Sequence, residues 1–199
     1  MAYRFRPHPR YRASCYVNAA PDDNPGLPAG SWVSAYTAYE RRDEELGQVT
    51  NTPSVLITEG VKAPSDFFGP GGKGLVVSAR FKDLIQSFEP DRHDFSEIAL
   101  KDERRREWPG RFFMWRVRTY VQAIDLEKSS IARHKKYDGT GEFFSLEFPQ
   151  ELFIKKDVVE NVDIWRNEPN IGDDIFCSDE FYRRCKEISI KYLLFNKCL

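Results

Sequence analysis

Apolar residues mark one segment more sharply than any other. Leu75-Val-Val77 reads as a buried strand and Ser78 as a helix N-cap, and Phe81, Leu84, Ile85 and Phe88 then recur at i, i+3, i+4 and i+7 of one helical face. Glu89-Pro90 stops that helix. A hundred residues on, Ile175-Phe-Cys177 precedes Ser178, and Phe181, Cys185 and Ile188 take the corresponding face. Ser78/Ser178, Phe81/Phe181 and Phe95/Phe195 are identical pairs at a constant offset, so the pattern predicts two similar strand-Ser-helix-strand half-units. Between them, Phe112 to Ile124 alternates as one long strand with Phe113, Trp115, Val117, Thr119, Val121 and Ala123 on a single face. Val55 to Ile57, Glu142 to Phe148, Glu151 to Ile154 and Val162 to Arg166 are further strands. The expected fold is α+β: an antiparallel sheet with few helices, the two Ser-capped ones packed on it.

Flanking regions are less regular. Tyr3, Phe5, Tyr11 and Tyr16 alternate with arginines as a strand or extended arm would, and a Pro/Gly-rich loop fills residues 21–30. Ser31 then caps a helix through Trp32, Tyr36, Tyr39 and Leu46, ended by Gly47, and residues 63–74 read as a loop. Residues 1–54 are taken as an N-terminal extension packed on the same domain, and 55–199 as the α+β domain proper.

Composition narrows the classes. With 41% apolar, 14% aromatic and 31% charged residues the chain packs a core under a well-solvated surface. No apolar run exceeds four residues, far short of the roughly 20 that span a bilayer or the h-region of a signal peptide, so a cytoplasmic protein is expected, with no membrane partner. The cysteines at 15, 177, 185 and 198 form no C-x-x-C pair and read as reduced structural thiols. Net charge is -1, which does not suggest nucleic acid. Its distribution is uneven, with net +4 over residues 1–12 and net -7 over residues 157–180.

Catalytic and metal chemistry finds little support. Ser78 and Ser178 sit between strand and helix as a nucleophile elbow would, but neither has the glycines that let such a turn close, and capping accounts for both. His8, His93 and His134 show no metal-ligand spacing, so no metal and no cofactor are expected. Gly69-Pro-Gly-Gly-Lys-Gly74 lacks the first glycine and the final Ser/Thr of a phosphate loop, and a strand follows it where a helix should start. In Lys101-Asp-Glu-Arg-Arg-Arg106 the acids interleave as in a solvated turn. The acidic stretch offers more. Asp157, Glu160, Asp163, Glu168, Asp173 and Asp174 around the aromatic Trp165 would speed encounter with a basic partner and anchor it.

Gly74 to Pro90 followed by His93-Asp-Phe95 resembles the central signature of a family of bacterial immunity proteins from polymorphic toxin systems, formerly known only as a domain of unknown function. Ala63-Pro-Ser-Asp-Phe67, Val121 to Ser129, Asp163-Ile-Trp-Arg166 and Ile175 to Phe181 resemble its other conserved segments, so the likeness covers about residues 55–199. One departure is Ile190-Lys191, where a glycine is expected before the last strand. The resemblance implies a non-enzymatic inhibitor that binds a cognate toxin domain, with no catalytic residue. The alternatives are a small enzyme using a cleft between the half-units near His93 or His134, or a nucleic-acid-binding module using the N-terminal arginines.

Overall fold

The computed structural model describes residues 1–7, 14–16, 55–59, 65–68, 75–135, 142–146, 151–168 and 174–199. Both Ser-capped helices form as the pattern predicts. Strand β5 (Val76–Ser78) leads into α1 (Ala79–Phe88), and β12 (Ile175–Ser178) leads into α2 (Asp179–Glu187). Each serine hydroxyl accepts the backbone N–H three residues on, Phe81 at 3.3 Å and Phe181 at 3.1 Å, satisfying one orphan donor of the helix start. Glu89 ends α1 by donating its N–H to Ile85 O at 3.0 Å, immediately before Pro90.

Two sheets carry these helices. One contains β2 (Ser14–Tyr16), β3 (Val55–Glu59), β6 (His93–Lys101), β7 (Phe112–Val117), β5 and β4 (Phe67–Phe68), in that order. The other runs β13 (Leu193–Lys197), β1 (Ala2–Pro7), β12, β11 (Ile164–Asn167) and β8 (Tyr120–Val121). Pairing is antiparallel except for β3 with β6 and β11 with β8, and a separate ribbon joins β9 (Ile131–Lys135) to β10 (Glu142–Leu146). The architecture is α+β with few helices and two matching halves.

The match extends beyond the segments found in the sequence. In the first half the Ser-bearing strand β5 lies between β4 and β7, with β6 beyond β7; in the second, β12 lies between β11 and β1, with β13 beyond β1. Phe95 of β6 pairs with Trp115 of β7, and Phe195 of β13 pairs with Phe5 of β1. Residues 2–7 thus fill, from the start of the chain, the position that β7 fills from mid-chain.

One aromatic core joins the halves. Phe5, Phe67, Phe81, Trp115 and Phe181 are all buried in it, with Phe5 lying 6.3 Å from Trp115 and 6.1 Å from Phe181 between ring centroids. Each such ring, taken fully out of water, contributes roughly 1.5–3 kcal/mol. A second core covers the outer face of the second sheet, where Trp165 stacks on Phe176 beside Ala123, Ile124 and Leu152.

Four expectations need amending. Phe112 to Ile124 is not one strand: β7 ends at Val117, and the chain crosses to the other sheet, where Tyr120 and Val121 pair with Arg166 and Asn167. Nor is β7 one-sided, since Phe112, Phe113, Met114 and Trp115 are all buried. Residues 151–154 contribute a single bridge, Ile154 to Ile124, in place of a strand. Phe67 and Phe68 lie not in a loop but in strand β4, against Val77 and Val76. The expected helix after Ser31 and the glycine-rich residues 69–74 lie outside the described residues. Before the last strand, where glycine was expected, Ser189 and Tyr192 take the left-handed conformation, with φ of 54° and 64°.

Candidate functional site

A cavity of about 600 Å³ opens at the start of α2. Its walls come from three places: a 3-10 turn (Lys156–Val159) with Glu160, the entry to β11 at Val162 and Asp163, and the first turn of α2 from Ser178 to Arg183. Met1 and Ala2 at the start of β1, and Lys197 to Leu199 at and beyond the end of β13, complete it. Much of the lining is apolar, through Met1, Ile154, Val159, Val162, Trp165 and Leu199. Met1 and Leu199 are exposed large apolar residues, at 67% and 56%.

The cavity brings together four residues singled out in the sequence: Glu160, Asp163, Trp165 and Ser178. Asp163 holds the serine in place. Its backbone oxygen accepts Ser178 N–H at 2.9 Å, and its Oδ1 accepts the Ser178 hydroxyl at 2.5 Å. This hydroxyl donates its one proton to Asp163 and accepts from Phe181 as a cap; Ser78 is held the same way by Asp66, at 2.7 Å. Acids in the first turn of α2, Asp179 and Glu180, complement the helix dipole, and both pair with Arg183.

The rest of the acidic stretch is dispersed. Asp157 is exposed on the 3-10 turn, and Glu168 is exposed at the end of β11, where its N–H donates to Val121 O at 2.9 Å. Asp174 is half-buried and pairs with Arg4 at 3.2 Å, the two side chains only 15% and 5% exposed. Asp173 lies outside the described residues. Trp165 is 0% exposed, part of the cavity's inner wall and of the second core, so it offers no protruding aromatic. Sequence alone suggested a surface because six acids flank it; its neighbours Ile164 and Arg166 are buried as well, since β11 is covered on both faces.

The residues invoked for other chemistries are placed apart. His93 is buried between the halves against Trp115, with Nε2 2.8 Å from Glu89 Oε2. His134 is exposed on the β9–β10 ribbon and bonds to Ser145 at 2.7 Å. Of the N-terminal arginines, Arg4 is buried in its pair with Asp174, Arg6 is exposed, and Arg10 and Arg12 lie outside the described residues. Among the described residues no group of three or more His, Cys, Asp or Glu is arranged to hold a metal, and no helix is long and apolar enough to cross a membrane. Cys177, Cys185 and Cys198 are free and buried.

Several cavity residues are not among the candidate site residues read from the sequence: Met1, Arg183 and Lys197, and Asp179 and Glu180, which belong to the acidic stretch but read as complementing the helix dipole. The constant offset singles out two of them, because it sets Glu180 against Arg80 and Lys197 against Glu97, reversing charge each time.

A family model described as an immunity protein family, Imm11, matches residues 25–199. No curated protein matches the chain.

Proposed function

Since the chain belongs to the Imm11 immunity protein family, we propose that it is a non-catalytic immunity protein of a polymorphic toxin system, which binds a cognate bacterial toxin domain in the cytoplasm and neutralises it. The family match over residues 25–199 carries this reading. The cavity at the start of α2 supports it, because a cavity lined by both apolar and charged residues suits a protruding segment of another protein. Capping supports it too: the two hydroxyls that could have served as nucleophiles are committed to Asp66, Asp163 and the helix amides.

Co-expression tests the proposal. Cells making the toxin domain encoded beside this gene should resume growth when this protein is made with it, and the two should co-purify as a stoichiometric complex. Growth arrest that persists, with no complex on size-exclusion chromatography, rejects the reading.

A further inference from the structure

The two halves of the molecule are built alike around their capping serines, but they differ in what closes the start of each helix. In the first half, Asp66 takes the Ser78 hydroxyl on Oδ1 at 2.7 Å, while its Oδ2 takes the guanidinium of Arg80 and the N–H of Lys191. Burial raises the Asp66 pKa, but the bonds from Arg80, Lys191 and Ser78 outweigh it and hold the carboxyl below its usual range. Arg80 also donates to the backbone oxygens of Ile188 and Ser189, at 3.3 and 3.2 Å. A cation therefore closes the first site.

In the second half the frame is repeated without that cation. Asp163 stands where Asp66 does, its backbone oxygen accepting Ser178 N–H at 2.9 Å as Asp66 O accepts Ser78 N–H at 3.0 Å. Its Oδ1 takes the serine hydroxyl, and its Oδ2 receives no hydrogen bond from any described residue. The residue matching Arg80 is Glu180, which turns to Arg183. A second closure is missing as well. Arg111, whose oxygen accepts Ala79 N–H at 2.9 Å, grips Glu97 through two bonds of 2.8 and 2.7 Å beside the start of α1. Met1, whose oxygen accepts Asp179 N–H at 3.0 Å, and Lys197 occupy the matching places and both line the cavity.

From this difference we infer that the cavity receives an arginine side chain of the toxin, flanked by an apolar residue, which pairs with Asp163 as Arg80 pairs with Asp66. The inference rests on the immunity reading only for the identity of the partner. Of the cations that line the cavity, Lys156 and Lys197 are exposed, and Arg183 is held by Asp179 and Glu180. A guanidinium suits the vacancy better than an ammonium, since its planar fork can engage Asp163 while its stem lies along Val159, Val162 and Met1.

The test uses the full chain and two probes. With ¹⁵N-labelled protein, acetyl-Leu-Arg-Leu-amide should shift the Trp165 indole and the Ser178 and Asp179 amides, while acetyl-Leu-Gln-Leu-amide should not. Glu180→Arg, which rebuilds the first half's closure in cis, should abolish the response while the rest of the spectrum shows the fold intact, although it gives up the pair with Arg183. Asp163→Asn, which keeps an oxygen for the Ser178 hydroxyl, should weaken it at least about tenfold. Equal responses to the two peptides, or an unchanged response in both variants, overturn the inference. With the neighbouring toxin domain as probe, wild-type binding that survives both variants rejects the arginine site and leaves the immunity reading standing. Arginine-selective peptide binding with no toxin binding does the reverse.

Discussion

Phe81 and Phe181, the third residue of each Ser-capped helix, meet across the centre of the molecule with ring centroids 6.1 Å apart and planes tilted by 39°. Each is fully buried, and each touches further rings of the common core: Phe67 and Trp115 for Phe81, Phe5 and Phe88 for Phe181. Two residues a hundred positions apart thus form one of the contacts between the half-units. Because each helix follows directly from a strand of its own sheet, this contact also fixes how the two sheets face one another.

Phe181→Ala should lower unfolding free energy by about 3–5 kcal/mol, the usual cost of emptying an aromatic core site. Phe81→Ala should cost a similar amount, and the double variant less than the sum, because both remove the same contact. Urea titration checks this through the shift in midpoint at constant slope. Strict additivity would mean that the rings stabilise their own halves independently.

The parts legible in the sequence are those written locally. A serine followed by apolar residues at i+3, i+6, i+7 and i+10 specifies cap and helix together, and the constant offset revealed the second copy. What joins these parts is not local. Tyr3 and Phe5 showed alternation, yet nothing nearby announces that β1 lies between residues 175–178 and 193–197. Trp165 misled for a related reason: acids on both sides imply solvent, but β11 runs between two cores, with Ile164 in one and Trp165 in the other. The cavity was half visible, as Glu160, Asp163 and Ser178, because its other wall comes from the two ends of the chain.

Arg4 and Asp174 make the second prediction. Both charges are largely withdrawn from water, so losing this contact should cost stability: Asp174→Asn or Arg4→Met should each destabilise by about 1–3 kcal/mol. Arg4→Met with Asp174→Leu should recover most of the loss, since apolar replacement of a buried pair is often close to neutral. Thermal melts of the four proteins decide the matter. A double variant no better than either single one would show that these groups act through their other contacts.

The cysteines give a prediction about alkali. Burial pushes the Cys177 thiol well above its ordinary value, Cys185 up to about 12 and Cys198 up to about 11. All three should resist iodoacetamide in the native protein at pH 8 and react once it is unfolded. A raised folded-state pKa means that stability is intact below the unfolded thiol value, near 8.5, and is lost as pH rises through the folded ones. Denaturant midpoints should therefore fall between about pH 9 and pH 11, and Cys198→Ser should reduce that fall.

Glu89 ties the halves together from the end of α1. Its Oε1 accepts the N–H groups of Asp163 at 2.8 Å and Ile164 at 3.2 Å, and its Oε2 faces His93. Burial raises its pKa, but His93 and the two amides outweigh that effect and hold the carboxylate below its normal range. With the folded value depressed, its stabilisation is complete above the unfolded carboxylate value and disappears as pH falls through the folded one. Glu89→Gln should cost about 1–3 kcal/mol at neutral pH, because a neutral oxygen accepts the Asp163 and Ile164 amides more weakly than a carboxylate does. The gap between wild type and variant should then narrow as the pH is lowered below 5, because wild-type Glu89 takes up the proton that the amide already mimics. Asp163 is both held by Glu89 and part of the cavity wall, so the variant should loosen the entry to β11 and raise amide exchange at Asp163 and Ile164 ahead of the helices. A stability gap that stays constant into acid would show that Glu89 acts by its shape and not by its charge.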